Sequence, residues 1–309
     1  MNKLDFSGGL GKPIVVVGSL NMDLVMRTPR VPERGETLNG YEFRTVPGGK
    51  GANQAVACAR LGGKVILIGG VGDDDFGTVL RAGLISDGID VSGVMRTSAV
   101  GTGVAVILVE DTGQNRIMLA SGANGRLKVS DIEAAGALIQ GAAMLIVQLE
   151  VPMAIVQRAV EIAYGAGVPV LLNPAPAVIL PEGLLAQISI LVPNETEASL
   201  LAGIPVGDAS SATAAARLFR QRGVGCVVVT LGAQGVVVVD DAGERHIPAQ
   251  VVQAVDTTGA GDTFIGGLSL ALVEGNTLDA AVDLGQRASA LCVTRMGAQP
   301  SIPYRHELN

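Results

Sequence analysis

The chain has 309 residues, of which 48% are hydrophobic and 17% charged, so it can bury a large core and is not expected to be disordered. Its net charge of −7, with no clustered basic stripe, argues against a nucleic-acid-binding surface. The length exceeds that of a typical domain, but one large α/β domain of this size is ordinary.

The first elements of the chain are short and varied. Residues 1–12 are rich in glycine and polar groups, and we expect a flexible leader there. A β-branched run at Ile14–Val17, ended by a glycine, predicts a buried strand. An alanine-rich helix is predicted at 51–61, followed by a strand at 65–68. Two apolar stretches, 103–109 and 116–119, flank a turn sequence and are typical of a β-hairpin.

Beyond residue 125, strands and helices alternate regularly. Helices are predicted at 131–140, 153–165, 195–202 and 210–222, and strands at 144–149, 169–173, 189–193 and 226–231. This alternation predicts an α/β fold, with a mostly parallel sheet covered by helices on both faces. Antiparallel additions at 236–248 and two helices, about 260–274 and 279–293, complete the chain.

Two segments, about 24–47 and 100–122, do not follow this alternation. Proline, glycine and alternating polar residues interrupt the first, and the second contains the predicted hairpin. We therefore expect both to form a small β-sheet lid inserted in one domain that comprises residues 13–309.

The cysteines and the uncharged stretches indicate where the protein resides. Cys58, Cys226 and Cys292 are widely spaced in apolar runs, which predicts buried free thiols. The uncharged stretch 162–181 contains four prolines, which disfavour a membrane span. We therefore expect a cytoplasmic protein with no membrane partner.

The most informative stretch runs from Asp256 to Phe264 and reads Asp-Thr-Thr-Gly-Ala-Gly-Asp-Thr-Phe. A glycine-containing turn followed by an apolar run predicts a helix start, where free backbone N–H groups attract anions. A carboxylate at Asp262 could take a proton from a hydroxyl beside a bound phosphate. Alternatively, Asp262 only complements the helix dipole.

Other nucleotide-binding motifs do not occur in the sequence. There is no Gly-x4-Gly-Lys-[Ser/Thr] loop, and Gly18 does not open a Gly-x-Gly-x-x-Gly turn after the first strand. This argues against a P-loop NTPase and a dinucleotide-dependent oxidoreductase. The turn at Gly259, Ala260 and Gly261 is therefore the best candidate for binding phosphate.

A second glycine-dense stretch, Val-Pro-Gly-Gly-Lys-Gly-Ala-Asn-Gln, occupies residues 46–54. Together the two stretches resemble the N- and C-terminal signatures of the ribokinase-like (PfkB) sugar kinases. Further matches include Gly18-Ser19-Leu20-Asn21-Met22-Asp23, on a predicted loop after the first strand, and Gln148-Leu149-Glu150, at the end of a middle strand. The resemblance covers residues 13 to 305.

The resemblance implies transfer of a phosphoryl group from ATP to the 5-hydroxyl of D-ribose. Asp262 would be the base, and the amides of Gly259, Ala260 and Gly261 would stabilise the transferring group. The implied sugar-binding residues are Asn21, Asp23, Gly49, Lys50, Asn53, Glu150 and Asp262. Taken from the residues alone, Asp23 could instead be a turn cap and Glu150 a surface acid.

The resemblance also implies the cofactors ATP, Mg²⁺ and a monovalent cation, K⁺. The implied ATP-binding residues are Asn194, Thr230, Gly232, Gly235, Gly261 and Gln286. Glu197 would hold Mg²⁺ through water, although it could also be a solvated residue on a helix face. The implied K⁺ ligands come from Asp256, Thr258, Cys292, Arg295, Gly297 and Ser301.

The family implies a homodimer that pairs through the lid strands, with ribose and ATP as ligands. Other acceptors, such as 2-deoxyribose, another sugar or a nucleoside, stay open. A non-catalytic sugar-binding regulator with this fold is a further alternative. Both histidines, His246 and His306, are expected at the surface with no catalytic role.

Overall fold

The structure is a computed structural model that describes residues 9–112 and 114–308. The predictions for residues 1–8 and for Gly113 of the hairpin turn therefore lie outside the described residues. Within the described part, the strands are β1 Ile14–Val17, β2 Asn21–Thr28, β3 Glu42–Gly48, β4 Val65–Gly72, β5 Asp90–Thr97, β6 Gly103–Glu110, β7 Asn115–Ala120, β8 Met144–Val147, β9 Val170–Leu172, β10 Ile190–Leu191, β11 Cys226–Thr230, β12 Val236–Asp240 and β13 Gly243–Ile247.

The helices of the described residues follow the predicted alternation. They are α1 Lys50–Arg60, α2 Asp75–Ser86, α3 Val129–Ala134, α4 Gly136–Gln140, α5 Met153–Gly165, α6 Glu195–Ala202, α7 Ala209–Gln221, α8 Ala260–Val273 and α9 Leu278–Cys292. None of these helices combines the length and the hydrophobicity needed to cross a membrane.

The large sheet has the strand order β13-β12-β11-β10-β9-β8-β1-β4-β5. The pairs from β11 to β5 are parallel, while β12 and β13 add antiparallel strands at one edge. Successive residues of β1 pack into different cores: Ile14 and Val16 lie in the cluster with α1 and α8, and Val15 and Val17 in the cluster with α5 and α7. The predicted α/β fold, with helices on both faces of a mostly parallel sheet, is confirmed.

A separate four-stranded sheet has the order β3-β2-β6-β7. Its central pair, β2 and β6, is parallel and aligns Asn21 with Gly103, while β3 and β7 pair antiparallel at the two edges. The predicted small second sheet is therefore present. It begins at Asn21, so Asn21 and Asp23 lie on a strand of this sheet and not on the predicted loop.

Two further features differ from the predicted elements. Residues 131–140 form two short helices, α3 and α4, that meet at Ala135, instead of one helix. The structure also has α2 and β5 within residues 69–99, for which no element is predicted from the sequence. The start of α2 carries a recognisable signal, because the carboxylate of Asp74 accepts a hydrogen bond from the Gly77 amide as a helix N-cap.

Candidate active site

The site is built where the N-terminal ends of α1 and α8 meet. Helix α8 starts directly after Gly259, whose φ of +78° is accessible to glycine at little cost. Asp262, in the first turn of α8, is only 7% exposed. Its two carboxylate oxygens accept hydrogen bonds from the side-chain amides of Asn53 and Gln54, both at 2.9 Å. Because both helix ends carry partial positive charge, the junction suits anions.

Some of the backbone N–H groups at the start of α8 already donate hydrogen bonds within the turn. The Ala260 amide donates to the Thr257 carbonyl at 3.2 Å, and the Thr263 amide donates to the Gly259 carbonyl at 2.8 Å. The resemblance to the family implies the same anion-binding role for the Ala260 amide as for those of Gly259 and Gly261. In this conformation its N–H group instead closes the turn, so Gly259 and Gly261 are the better-placed donors of the predicted set.

A cavity of about 200 Å³ lies in front of Asp262 and is lined by Lys50, Asn194, Glu197, Gly259 and Gly261, among others. Burial alone would lower the pKa of the Lys50 ammonium, but neighbouring carboxylates, chiefly Asp262 and Glu150, raise it above its usual value. Lys50 is therefore a half-buried positive charge that lines the same cavity as Asp262 and Glu197, where it can attract a phosphate or a sugar hydroxyl.

The predicted sugar-binding residues converge beside Lys50 from three elements. Asn21 and Asp23 come from β2, Lys50 from the start of α1 after Gly49, and Glu150 from the segment after β8. The Glu150 carboxylate accepts hydrogen bonds from the Ser19 hydroxyl, at 2.5 Å, and from the Lys50 amide, at 3.1 Å. These contacts join the β1–β2 connection, the segment after β8 and the start of α1.

Asp23 is a buried acid with a raised pKa. It is 8% exposed, and Gly48 on the neighbouring strand leaves no room for a side chain, since a Cβ there would lie 2.3 Å from Asp23 Oδ2. Burial, followed by the negative charges of Glu150 and Asp262, raises the pKa of Asp23 to about 7. A buried acid held beside two other carboxylates indicates a functional site more than a turn cap.

Asn124 was not identified by sequence reasoning. It is 1% exposed, its Nδ2 donates to Asn21 Oδ1 at 2.8 Å, and its Oδ1 accepts from the Leu20 amide at 3.0 Å. Because Asn124 donates to the Asn21 oxygen, it fixes the orientation of the Asn21 side-chain amide. Its sequence neighbourhood, Gly-Ala-Asn-Gly, indicates only a turn, so a single sequence gives no signal for this role.

A second cavity, of about 640 Å³, adjoins the first and shares Asn194, Thr230, Thr257 and Gly261 with it. Its volume is within the range of small-molecule and cofactor sites, and the shared residues connect it to the cavity in front of Asp262. The six residues predicted to bind ATP all line this cavity: Asn194, Thr230, Gly232, Gly235, Gly261 and Gln286. Gln286 Nε2 donates to the carbonyls of Ile247, at 3.3 Å, and Pro248, at 3.2 Å, and so ties α9 to the cavity wall.

Asn194 and Glu197 cap the start of α6 reciprocally. Asn194 Oδ1 accepts from the Glu197 amide at 2.8 Å, while Glu197 accepts from the Asn194 amide at 2.9 Å and from Asn194 Nδ2 at 3.0 Å. Glu197 is 8% exposed and lines the cavity with Asp262, and burial raises its pKa above the usual value. It is therefore not a solvated residue on a helix face.

The residues predicted to bind the cation lie close together, next to the turn at 259–261, which we call the anion turn. The Asp256 carboxylate accepts from the Thr258 amide and hydroxyl, at 2.9 and 2.7 Å, and from the Gly297 amide at 2.8 Å. Burial would raise the pKa of Asp256, but these hydrogen bonds hold it below its usual value. Cys292 Sγ lies 3.0 Å from the Ser301 hydroxyl, and the Arg295 amide donates to the Cys292 carbonyl at 3.0 Å.

The remaining predictions concern the cysteines and histidines. Cys58, Cys226 and Cys292 are free and buried, as expected. His246 and His306 are exposed, as expected. Among residues 9–112 and 114–308, no group of three or more His, Cys, Asp or Glu side chains is arranged to hold a metal ion.

Comparisons with known proteins agree with this arrangement. A protein named ribokinase from Haemophilus influenzae is 46% identical over 96% of this chain and 97% of its own length. A deoxyribokinase from Salmonella typhi is 38% identical over 96% of this chain and 97% of its own length. The structure of Arabidopsis thaliana ribokinase complexed with ribose and ATP superposes with a TM-score of 0.89, at 33% identity, covering 97% of this chain and 98% of that one. The model of the pfkB family carbohydrate kinases matches residues 12–305, and the chain belongs to that family.

Proposed function

We propose that the protein transfers the γ-phosphoryl group of ATP to the 5-hydroxyl of D-ribose, giving D-ribose 5-phosphate and ADP. The observation that carries the proposal is the position of Asp262, a buried carboxylate at the junction of a nucleotide-sized cavity and a cluster of sugar-binding side chains. The named ribokinases among the relatives support ribose as the acceptor.

In the proposed reaction, Asp262 accepts the proton of the 5-hydroxyl as its oxygen attacks the γ-phosphorus. The amides of Gly259 and Gly261, together with the two helix N-termini, stabilise the charge that develops on the transferring group. Lys50 adds a fixed positive charge on the same side of the cavity. Positioning and electrostatics supply most of the catalysis, as is usual for phosphoryl transfer.

The sugar is held by both hydrogen-bond acceptors and hydrogen-bond donors. Asp23 and Glu150 accept sugar hydroxyls, and Asn21 and Lys50 donate to sugar oxygens. Within residues 9–112 and 114–308, the buried Oδ1 of Asn53 has no hydrogen-bond partner. Because a buried acceptor without a partner is costly, this atom is well suited to accept a ribose hydroxyl.

An ATP-consumption screen over ribose, 2-deoxyribose, fructose and adenosine tests the proposal. We expect the highest kcat/KM with ribose. A preference for 2-deoxyribose would favour the activity that the Salmonella typhi relative is named for. Absence of turnover with every acceptor, in protein that still binds ribose, would instead support a non-catalytic sugar-binding regulator.

Mg²⁺ fits the site because it keeps much of its water and is usually held by one or two carboxylates together with substrate phosphates. Glu197 is a buried carboxylate that lines the cavity in front of Asp262, and it would hold the ion through water. When bound, the ion would neutralise charge on the β- and γ-phosphates. Glu197 also keeps the start of α6 ordered through its hydrogen bonds with Asn194.

K⁺ fits the cluster behind the anion turn because its groups are mainly oxygens, and one of them, Asp256, is negatively charged. The proposed ligands are the Asp256 carboxylate, the carbonyls of Thr258, Cys292, Arg295 and Gly297, and the Ser301 hydroxyl. Since Asp256 is hydrogen-bonded to Thr258, a cation there would order the turn that leads to Gly259.

We therefore expect kcat to rise several-fold when Na⁺ is replaced by K⁺ at constant ionic strength. In Asp256→Ala the response should disappear, because the only charged ligand of the proposed set is removed. Steady-state assays over a series of Na⁺/K⁺ mixtures measure the effect. A wild-type enzyme with equal kcat in both salts would show that the cluster is not an activating cation site.

We also propose that the small sheet is a lid over ribose, inserted in a single kinase domain of residues 13–309. By closing on the bound sugar it would exclude water and limit wasteful hydrolysis of ATP. The predicted lid segments 24–47 and 100–122 correspond to strands β2, β3, β6 and β7. Because the substrate is ATP and the three cysteines are free, we place the enzyme in the cytoplasm.

Finally, we propose that two chains pair through their lid strands. The small sheet exposes several large apolar side chains, among them Phe43, 57% exposed, and Ile117, 59% exposed. Such a patch favours association, and pairing would also cover the edge strands β3 and β7. We expect sedimentation to give twice the mass of one chain.

The lid interface can be tested by substitution. Ile117→Asp should shift the protein to a monomer, because a carboxylate would be buried in an apolar interface. Ile179→Asp is the matched control, since Ile179 is 91% exposed outside the small sheet, and this variant should stay dimeric. A wild-type protein that sediments as one chain at all concentrations would contradict the proposal.

A further inference from the structure

Behind Asp262 lies a chain of buried side-chain amides that the proposed reaction does not use directly. Gln54 Nε2 donates to Asp262 Oδ1, at 2.9 Å, and to Asn173 Oδ1, at 3.2 Å. Gln54 Oε1 accepts from Gln148 Nε2 at 2.5 Å. Gln54 and Gln148 are both 0% exposed, so water cannot replace these hydrogen bonds.

The direction of these hydrogen bonds is fixed by groups that can only accept. Asn173 Nδ2 donates to the Val192 carbonyl at 2.9 Å, which turns Asn173 Oδ1 towards Gln54. The Asp262 carboxylate also accepts. If the Gln54 amide were reversed, its oxygen would face two other oxygens and its nitrogen would face the Gln148 amide nitrogen. In the orientation that Asp262 needs, the Gln54 oxygen therefore requires a donor, and Gln148 supplies it.

The hydrogen bond to Gln54 is the main polar contact of the buried Gln148 side chain. Among the residues that the structure describes, its Oε1 has no hydrogen-bond partner, so the donor half of the amide is the half in use. A buried polar side chain that satisfies only one of its ends is expected to have a specific role, since an apolar side chain would fit at lower cost.

We infer that Gln148, acting through Gln54, is a positioning residue that orients the Asp262 carboxylate towards the acceptor hydroxyl. The inference rests on the proposed function of Asp262 as the base. Neither glutamine needs to touch the substrate, because the effect passes through hydrogen bonds to one carboxylate oxygen. Removing this control should lower kcat, as misplacement of a reacting group does, and should leave substrate binding nearly unchanged.

A matched pair of variants separates positioning from packing. Gln148→Met keeps the size and removes the donor. Gln148→Glu keeps the shape and replaces the donor with a carboxyl group that can donate only when protonated. Burial raises the pKa of a carboxyl group above its usual value, so the kcat of this variant is measured from pH 5.5 to 8.5.

We expect Gln148→Met to lower kcat about 10- to 100-fold, with ribose and ATP dissociation constants within about threefold of wild type. Its kcat, expressed relative to wild type at each pH, should be constant. For Gln148→Glu the relative kcat should rise as the pH is lowered, because the protonated carboxyl group again donates to Gln54 Oε1. At pH values where the introduced carboxyl group is ionised, the relative kcat of Gln148→Glu should fall below that of Gln148→Met.

Calorimetry, melting temperatures and steady-state kinetics on the full chain supply these values. If Gln148→Met keeps the wild-type kcat while the wild type phosphorylates ribose, the inference is wrong and the proposed function stands. If Gln148→Glu keeps the wild-type kcat at every pH in this range, the donor does not matter, and the side chain only fills space. If the wild type itself fails to phosphorylate any acceptor, the proposed function fails instead.

Discussion

Replacing Asp262 with asparagine is expected to lower kcat by about three orders of magnitude while ribose and ATP still bind. The amide has the same shape but cannot take the proton of the 5-hydroxyl. Its nitrogen would also face one of the N–H donors, Asn53 or Gln54, that now hydrogen-bond to the carboxylate. We therefore also expect a modest fall in melting temperature.

An ADP-release assay measures kcat for this variant, and calorimetry measures the two dissociation constants. Asp283→Asn is a suitable control, because the Asp283 side chain is 60% exposed on α9 and has no proposed role in the site. It should keep the wild-type kcat. A near-normal kcat in Asp262→Asn, with the control intact, would rule out Asp262 as the base.

The second large effect is expected at Asp23. Asp23→Ala should weaken ribose binding by a factor of about 100 or more while ATP binds nearly as before. The substitution removes the acceptor for the sugar hydroxyls and leaves them unpaired in a buried site. If ribose binds to the variant as tightly as to the wild type, the sugar site has been placed on the wrong residues.

The raised pKa of Asp23 gives this residue a pH signature. Ribose binding needs the ionised carboxylate, and the pKa of Asp23 in the free protein is about 7. Ribose affinity should therefore increase as the pH rises from about 6 to 8. Calorimetric titrations with ribose across this range measure the effect. Asp23→Asn should bind weakly and show no such increase.

Asp23 should also influence the stability of the ligand-free protein. Its folded-state pKa lies above the unfolded value of 3.8, so the unfolded state releases this proton first. The contribution of Asp23 to stability is therefore fully present below about pH 4 and lost as the pH rises through about 7. Above pH 7, Asp23→Asn should be more stable than wild type by a few kcal/mol. An unchanged melting temperature at pH 8 would contradict the raised pKa.

The regular part of the fold was predictable because local patterns determine it. The β-branched strands β1, β8 and β11 and the apolar helix α8 have distinct periodicities, and their alternation specifies a parallel sheet. The region of α2 and β5 was missed although it carries a helix N-cap at Asp74. Asn21 and Asp23 were assigned to a loop because their strand, β2, is stabilised by pairing with a distant strand, β6.

The candidate site was predictable only where it coincides with sequence motifs. The glycine turn at 259–261 and Asp262 are contiguous in sequence, and the resemblance to a family supplied the sugar-binding residues. The hydrogen bond between Asn124 and Leu20 joins residues 104 positions apart in the sequence, and the one between Gln54 and Gln148 joins residues 94 positions apart. No local pattern in one sequence encodes such contacts, since buried amides look the same wherever they occur.

The most direct test of the account is to identify the product formed from ATP and ribose. Phosphorus NMR of the reaction mixture reports which carbon carries the phosphate. We expect a single sugar phosphate whose phosphorus couples to the two protons on C5, formed in equal amount with ADP. A phosphate on another carbon, or inorganic phosphate released while ribose stays unmodified, would contradict it.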